Sequence, residues 1–222
     1  MRLCVLKDII TLNHEMLTAN RQPSTILGIH YLPCISWFQH FLFDENVVLD
    51  QHEYFVKQSY RNRSIILSAN GPLPLIIPVK KNISKQPINT IEIENAFDWQ
   101  KQHWEAIRSA YNSSPFFEHY EHYFYKFYHT EFKNLLEFNL ELIKICLKLM
   151  KVEKEFNLSV KYVIPINIDK DLREIIHPKK KVDTDFKPYI QVFVGKFSFV
   201  KNLSIIDVIF NHGNDAINKI RI

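Results

Sequence analysis

The stretch Ser24-Thr25-Ile26-Leu27-Gly28-Ile29-His30-Tyr31-Leu32-Pro33, continued by Ile35 to Phe43 and then by Val47-Val48-Leu49, decides the fold class. Ile26, Leu27 and Ile29 make an aliphatic run that Pro33 closes, so Ser24–Leu32 reads as a buried strand. Ile35, Trp37, Phe38, Phe41 and Leu42 then recur at helical spacing. Glu45–Leu49 reads as a second short strand ending at Asp50. Strand, helix and strand within about 25 residues is close to the minimum for a parallel crossover. The expected class is therefore α/β, a mixed sheet flanked by helices.

Outward from this unit, Ser64–Ser68 and Leu73–Val79 are two β-rich runs separated by Ala69-Asn70-Gly71-Pro72. Asn-Gly between such runs is a strong hairpin signal, with Gly71 accepting a positive φ. Pro74 and Pro78 push the second strand to an edge. Ile88–Ile93 alternates as a third strand. From Asp98 the period turns helical: Trp99–Tyr111 with Asp98 as N-cap, Phe116–Thr130, and Asn134–Val152 with Leu136, Leu140, Ile143, Leu147 and Met150 as one stripe. Val160–Ile164 and Tyr189–Val194 read as strands, Pro165–Asp185 as a long exposed loop or lid, and Leu203–Asn211 as a helix ending before Gly213.

The chain has 222 residues, 46% apolar and 23% charged, which supports a sizeable core and excludes intrinsic disorder. With no Pro/Gly/Ser linker and no repeat, residues 1–222 are expected to form one domain. No apolar run approaches the ~20 residues of a spanning helix. Only four glycines are present, so neither a Walker loop nor a G-x-G-x-x-G fingerprint can be written. No signature names a cofactor. Cys4, Cys34 and Cys146 lie far apart without a C-x-x-C, which fits a reducing compartment. Met1–Asn20 lacks the pattern of a signal peptide, so a cytoplasmic location is expected. The net charge of +4 is mild. Lys179-Lys180-Lys181 is read as a solvated run, and no nucleic-acid partner is expected.

Chemistry concentrates in Asp50–Arg63, directly after the second strand, where open α/β sheets collect ligands. It holds Asp50, His52, Lys57, Tyr60, Arg61, Asn62 and Arg63. In an extended segment Arg61 and Arg63 would point the same way and grip a phosphate or carboxylate with two guanidinium forks. Arg61 would then face a wet pocket, and its truncation would cost affinity more than stability. The plain alternative is an exposed strand with ordinary charges. His30 and Tyr31 sit at the end of the first strand, and His103 on the Trp99–Tyr111 helix is either a core-boundary histidine or a site residue. His30, Asp50, His52 and His103 are the acid–base candidates; Tyr31, Lys57, Tyr60, Arg61, Asn62 and Arg63 are the binding candidates. Cys34 lacks a local base, and His119 and His122 lack the further ligands a metal needs. The aromatics of Phe116–Phe132 read mostly as core.

These residues resemble a known family. Tyr31-Leu32-Pro33 with Trp37-Phe38, Leu49-Asp50, Lys57-Gln58-Ser59-Tyr60-Arg61-Asn62-Arg63, Asn70-Gly71-Pro72, and Trp99 through His103 to Ser114-Pro115-Phe116-Phe117 resemble the WbqC-like proteins. Asn202-Leu203-Ser204-Ile205-Ile206-Asp207 looks like the version found in Bacteroidetes-type bacteria. Gln51-His52 stands where many relatives carry two adjacent aspartates. The resemblance implies bacterial surface-polysaccharide (O-antigen) biosynthesis. With the cationic motif it points to a small transferase acting on an activated or amino sugar, with a nucleotide-sugar type of small molecule as ligand. The alternative is a non-catalytic binding or assembly protein of the same pathway.

Overall fold

The computed structural model describes residues 24–81, 85–155, 157–166, 168–181 and 186–221. The expectations for Met1–Asn20 and Cys4 lie outside these residues. Strand β1 (Thr25–Leu27), helix α1 (Ile35–Phe43) and strand β2 (Val47–Leu49) form the expected parallel crossover, in register Thr25↔Val47 to Leu27↔Leu49. The first strand is shorter than its apolar run because Gly28 and the residues after it turn toward the cleft described below. Trp37 fixes that turn by donating its indole N–H to the Gly28 carbonyl at 2.7 Å.

The hairpin is present. Strand β3 (Arg63–Ser68) pairs antiparallel with β4 (Gly71–Ile76), from Arg63↔Ile76 to Ser68↔Gly71. Ala69 and Asn70 form the loop, and Gly71 takes φ +105°. Pro72 and Pro74 are tolerated because, among the described residues, β4 has β3 as its single neighbour in this sheet.

Three helices follow: α2 (Trp99–Tyr111), α3 (Phe117–Tyr128) and α4 (Leu135–Leu149). Asn134 caps α4 by accepting the Glu137 backbone N–H at 3.0 Å. Asp98 occupies the cap position of α2, but its side chain makes no capping bond. Helix α5 (Ile205–His212) buries every residue from Ile205 to Asn211. Phe117, Phe124 and Tyr111 pack around its Phe210 with ring centroids 5.0–5.3 Å away. The short α6 (Ala216–Ile220) follows a 3-10 turn. One continuous cluster of buried apolar side chains joins these helices to both sheets.

Four sequence expectations are corrected. Residues 88–90 wind into a 3-10 turn, and strand-like pairing survives only as isolated bridges, Glu92 with Asn134 and Ile93 with Val79. Val160–Ile164 is not a strand: Leu158 makes one parallel bridge to Leu49, after which the Val163 N–H is taken by the Asp50 carboxylate at 3.2 Å. Tyr189–Val194 turns instead of extending, because the Gln191 side chain substitutes for a neighbouring strand by bonding both backbone groups of Val200. Pro165–Asp185 is more than an exposed lid. Its Lys170–Asp171 is strand β5, parallel to β1 on the side opposite β2, giving the sheet order β2-β1-β5.

Candidate functional site

All three parallel strands deliver residues to one end of the sheet. Gly28 follows β1, Asp50 and Glu53 follow β2, and Arg173 and Glu174 follow β5. This is the carboxyl edge where ligands bind in open α/β sheets. A cleft of about 270 Å³ lies there, lined by Glu53, Tyr54, Arg61, Tyr162, Asp171, Arg173 and Glu174, with Val56 beside them.

Two interlocked ion-pair chains form its base. Arg61 is 1% exposed and Glu53 2%. The guanidinium grips both carboxylate oxygens, with Nε donating to Oε1 at 3.0 Å and Nη2 to Oε2. The same Nη2 donates to Glu174 Oε1 at 3.0 Å and to the Arg173 carbonyl at 3.4 Å. Arg173 donates to Asp50 Oδ2 at 2.6 Å and pairs with both oxygens of Asp171 at 2.9 and 2.6 Å. Asp50, wholly buried, also accepts from Ser159 Oγ at 2.8 Å and the His52 N–H at 3.0 Å. Gly28 makes room for this arrangement: a Cβ there would stand 2.5 Å from Glu53 Oε1.

Burial pushes the Glu53 carboxyl up to about 7, against the pull of Arg61. Asp171 lies below its ordinary value: burial raises it, but the hydrogen bonds and charge of Arg173 outweigh that. His30 is held well below its ordinary value by burial first, then by the charges of Arg61 and His177, so its imidazole is neutral. Neither of its ring nitrogens has a partner among the described residues. The Tyr60 ring lies 5.7 Å from it, and burial raises the Tyr60 hydroxyl far above its usual value. At the rim, Tyr54 and Tyr162 sit 6.1 Å apart, and the Arg173 guanidinium lies over the Tyr162 ring at 4.7 Å.

Of the candidates, Arg61 lines the cleft, Asp50 bonds its Arg173, and His30 feels the Arg61 charge with Tyr60 packed against its ring; the remaining candidates lie elsewhere. Tyr31 and His103 form a separate buried chain behind it. The Tyr31 hydroxyl is 3.0 Å from His103 Nδ1 and 2.7 Å from the Tyr128 hydroxyl. Burial lowers His103 to about 4, offset in part by its bond to the Ile76 backbone. A neutral ring donating its N–H to the Ile76 carbonyl leaves Nδ1 to accept from Tyr31, a core arrangement. His52 is half-buried beside Asn89 at 3.3 Å.

The expectation that Arg61 and Arg63 grip one anion together fails. Arg61 sits in the turn before β3 and Arg63 opens the strand, so the period-2 rule does not relate them. Arg61 faces the cleft, whereas Lys57, Asn62 and Arg63 line a different groove. Arg61 is also buried and engaged with carboxylates, not set in a wet pocket.

Sequence reasoning left Glu53, Tyr162, Asp171, Arg173 and Glu174 off the site. Glu53 lay within the polar segment, three residues from Asp50. The other four sat in or beside a run whose charge suggested solvent. Among the described residues, no group of three or more His, Cys, Asp or Glu is arranged to hold a metal ion. No helix among them is long and apolar enough to cross a membrane.

A three-stranded parallel sheet with an ion-paired, tyrosine-rimmed cleft at its carboxyl edge defines an α/β protein with a polar ligand-sized site. The chain belongs to the WbqC-like protein family, whose model matches residues 29–185 and so includes every side chain lining the cleft. It is also 31% identical over 94 residues to the uncharacterized protein Rv1507c of Mycobacterium tuberculosis. That similarity covers 41% of this chain and 40% of the relative. No solved structure matches.

Proposed function

We propose that the protein is a small transferase acting on an amino or otherwise activated sugar in the assembly of bacterial surface polysaccharide. The observation that carries this reading is the Glu53 carboxyl, buried at the base of an open cleft and poised near neutrality. A group with a pKa close to the working pH is the efficient choice for general acid–base chemistry. As a sugar amine or hydroxyl attacks the acyl carbon of an activated donor, the carbon's bond to the donor's leaving group breaks, that group departs with the bonding electrons, and Glu53 accepts the proton that the nucleophile gives up. Arg61 and Glu174 position Glu53, and Tyr54 and Tyr162 offer flat apolar faces to a pyranose ring. The lining carries Glu53, Asp171 and Glu174 against Arg61 and Arg173, a balance that suits an ammonium or hydroxyl-rich ligand better than a phosphate.

The test is a thermal-shift panel of amino sugars and nucleotide sugars with acyl and aminoacyl donors, followed by mass spectrometry of the products. Stabilisation by an amino sugar, lost in Tyr162→Ala, supports the site. Turnover lost in Glu53→Gln with binding retained supports the chemistry. A panel without a single shift refutes the reading. The second reading, a non-catalytic binding protein of the same pathway, is favoured by one specific feature: the arginines already have carboxylate partners in the free protein. Binding without turnover, indifferent to Glu53→Gln, would select it.

A further inference from the structure

The segment from Glu53 to Arg63 has two sides. Glu53, Tyr54, Val56 and Arg61 belong to the cleft just described, while Lys57, Gln58, Asn62 and Arg63 line a separate groove of about 490 Å³ with Lys80 and Lys81. The charge of this groove is opposite in kind. Among the described residues, no carboxylate lines it. Glu92 reaches it only through Lys80, whose ammonium it holds at 2.5 Å, and that exposed pair is worth little in water. A further cation, Lys179, donates to Gln58 Oε1 at 2.5 Å.

Arg63 supplies the most specific feature. Its Nε is buried and has no acceptor among the described residues. A buried donor left unsatisfied is costly, and a guanidinium is suited to planar, two-pronged contact with phosphate oxygens. Asn62 is anchored by donating its Nδ2 to the Ile77 carbonyl at 2.7 Å, which fixes the wall beside Arg63. Gln58 is held with φ +59°, a left-handed conformation that non-glycine residues seldom adopt, and the neighbouring Ser59 Oγ ties the turn by donating to the Val56 carbonyl at 2.6 Å. The cationic wall is therefore built into a fixed turn and a strand end.

We infer that the groove formed by Lys57, Arg63, Lys80 and Lys81 is a second ligand site, distinct from the Glu53 cleft, that takes a diphosphate group. Among the described residues, Lys57, Lys81 and Arg63 meet no carboxylate lining the groove, and this excess of positive charge matches the several negative charges of a diphosphate better than a single carboxylate. Arg63 contacts the phosphate oxygens in a two-pronged fashion, and the lysines act as mobile point charges around them. The inference does not depend on the transferase reading.

The experiment is isothermal titration of the full chain with inorganic pyrophosphate at physiological ionic strength, with sulfate at matched ionic strength as the control anion. Pyrophosphate binds and sulfate does not compete. Arg63→Gln weakens pyrophosphate binding about tenfold or more, as loss of a charge-assisted contact should. Lys57→Glu, at an exposed position that does not threaten folding, weakens it at least as much and carries the test if the Arg63 variant is unstable. Lys101→Gln, on the exposed face of α2, leaves affinity unchanged. Tyr162→Ala, in the other cleft, also leaves it unchanged, so failure of the sugar reading and failure of this one are separable. A nucleoside diphosphate arm and a short prenyl diphosphate arm identify the source, the tighter of the two naming the natural carrier. The inference is overturned if pyrophosphate does not bind, if sulfate binds equally well, or if Lys57→Glu leaves affinity intact.

Discussion

Replacing Arg61 with Met removes the guanidinium that holds Glu53, and its cost should depend on pH in a way that identifies the mechanism. Both side chains are almost fully buried. Removing one partner of such a pair leaves an uncompensated charge and costs about 3–5 kcal/mol. The stranded carboxyl can escape part of that penalty by taking up a proton. In the wild-type protein Glu53 already titrates near 7, above the unfolded value of about 4.3. A raised carboxyl stabilises the fold most below its unfolded pKa, and that stabilisation is lost as pH rises toward the folded one. Wild type and variant share this decline up to about pH 7. Above it, wild-type Glu53 ionises against Arg61 and the decline stops, whereas in Arg61→Met it continues at up to about 1.4 kcal/mol per pH unit. Urea unfolding followed by circular dichroism should therefore show a loss of about 1–3 kcal/mol at pH 6, where broken hydrogen bonds dominate. At pH 8.5 the loss should reach about 3–5 kcal/mol. Adding Glu53→Gln to Arg61→Met should remove the decline above about pH 7 that the single variant shows, and Lys81→Ala should stay within about 0.5 kcal/mol throughout. A single-variant cost equal at both pH values, or below about 1 kcal/mol at pH 8.5, would refute the reasoning.

Gly28→Ala should destabilise by about 1–3 kcal/mol in the same assay, since its Cβ would overlap a carboxylate that Arg61 prevents from retreating. Gly195→Ala, with open space around it, should change stability by no more than about 0.5 kcal/mol; equal costs at the two glycines would dissolve the steric argument. Asp207 is buried, and burial raises its carboxyl to about 6 although it accepts bonds from Tyr111, Tyr189 and Gln191. Its proton is held more tightly in the folded state, so its contribution should fall as pH rises from about 4 to 6. Asp207→Asn should lose that slope, and urea midpoints for both proteins across the interval would reveal a slope that persists.

The parts of the fold legible in the sequence are those fixed by local chemistry. Ile26 and Leu27 without alternation signal a strand covered on both faces, and Asn70-Gly71 specifies the hairpin. Helices α2, α3 and α4 follow from their apolar spacing. What escaped depends on partners distant along the chain. Lys170–Asp171 is too short and too charged to announce a strand; it becomes one because β1 offers an open edge. Val160–Ile164 has the composition of a strand, yet Asp50 captures the Val163 N–H that a neighbouring strand would need. Composition makes Glu53 and Arg173 look solvated, since charged residues are seldom fully buried unless paired, and each pair closes only in three dimensions. Arg61 and Arg63 mislead for a different reason: side-chain alternation holds within a strand, and β3 begins at Arg63.

The Asp50–Arg173 contact spans 123 residues. While the chain is being synthesised, β1, α1 and β2 can associate soon after they emerge, but the guanidinium that neutralises Asp50 arrives seconds later at typical elongation rates. Until then a carboxylate destined for complete burial must stay hydrated, and the edge of β1 that β5 will cover remains open. The nascent protein thus carries an unfinished sheet edge until residues 170–171 emerge, which exposes it to premature strand pairing. A chain terminated before residue 170 would be left with that edge unpaired and should be removed by proteolysis, not retained as a partly working fragment.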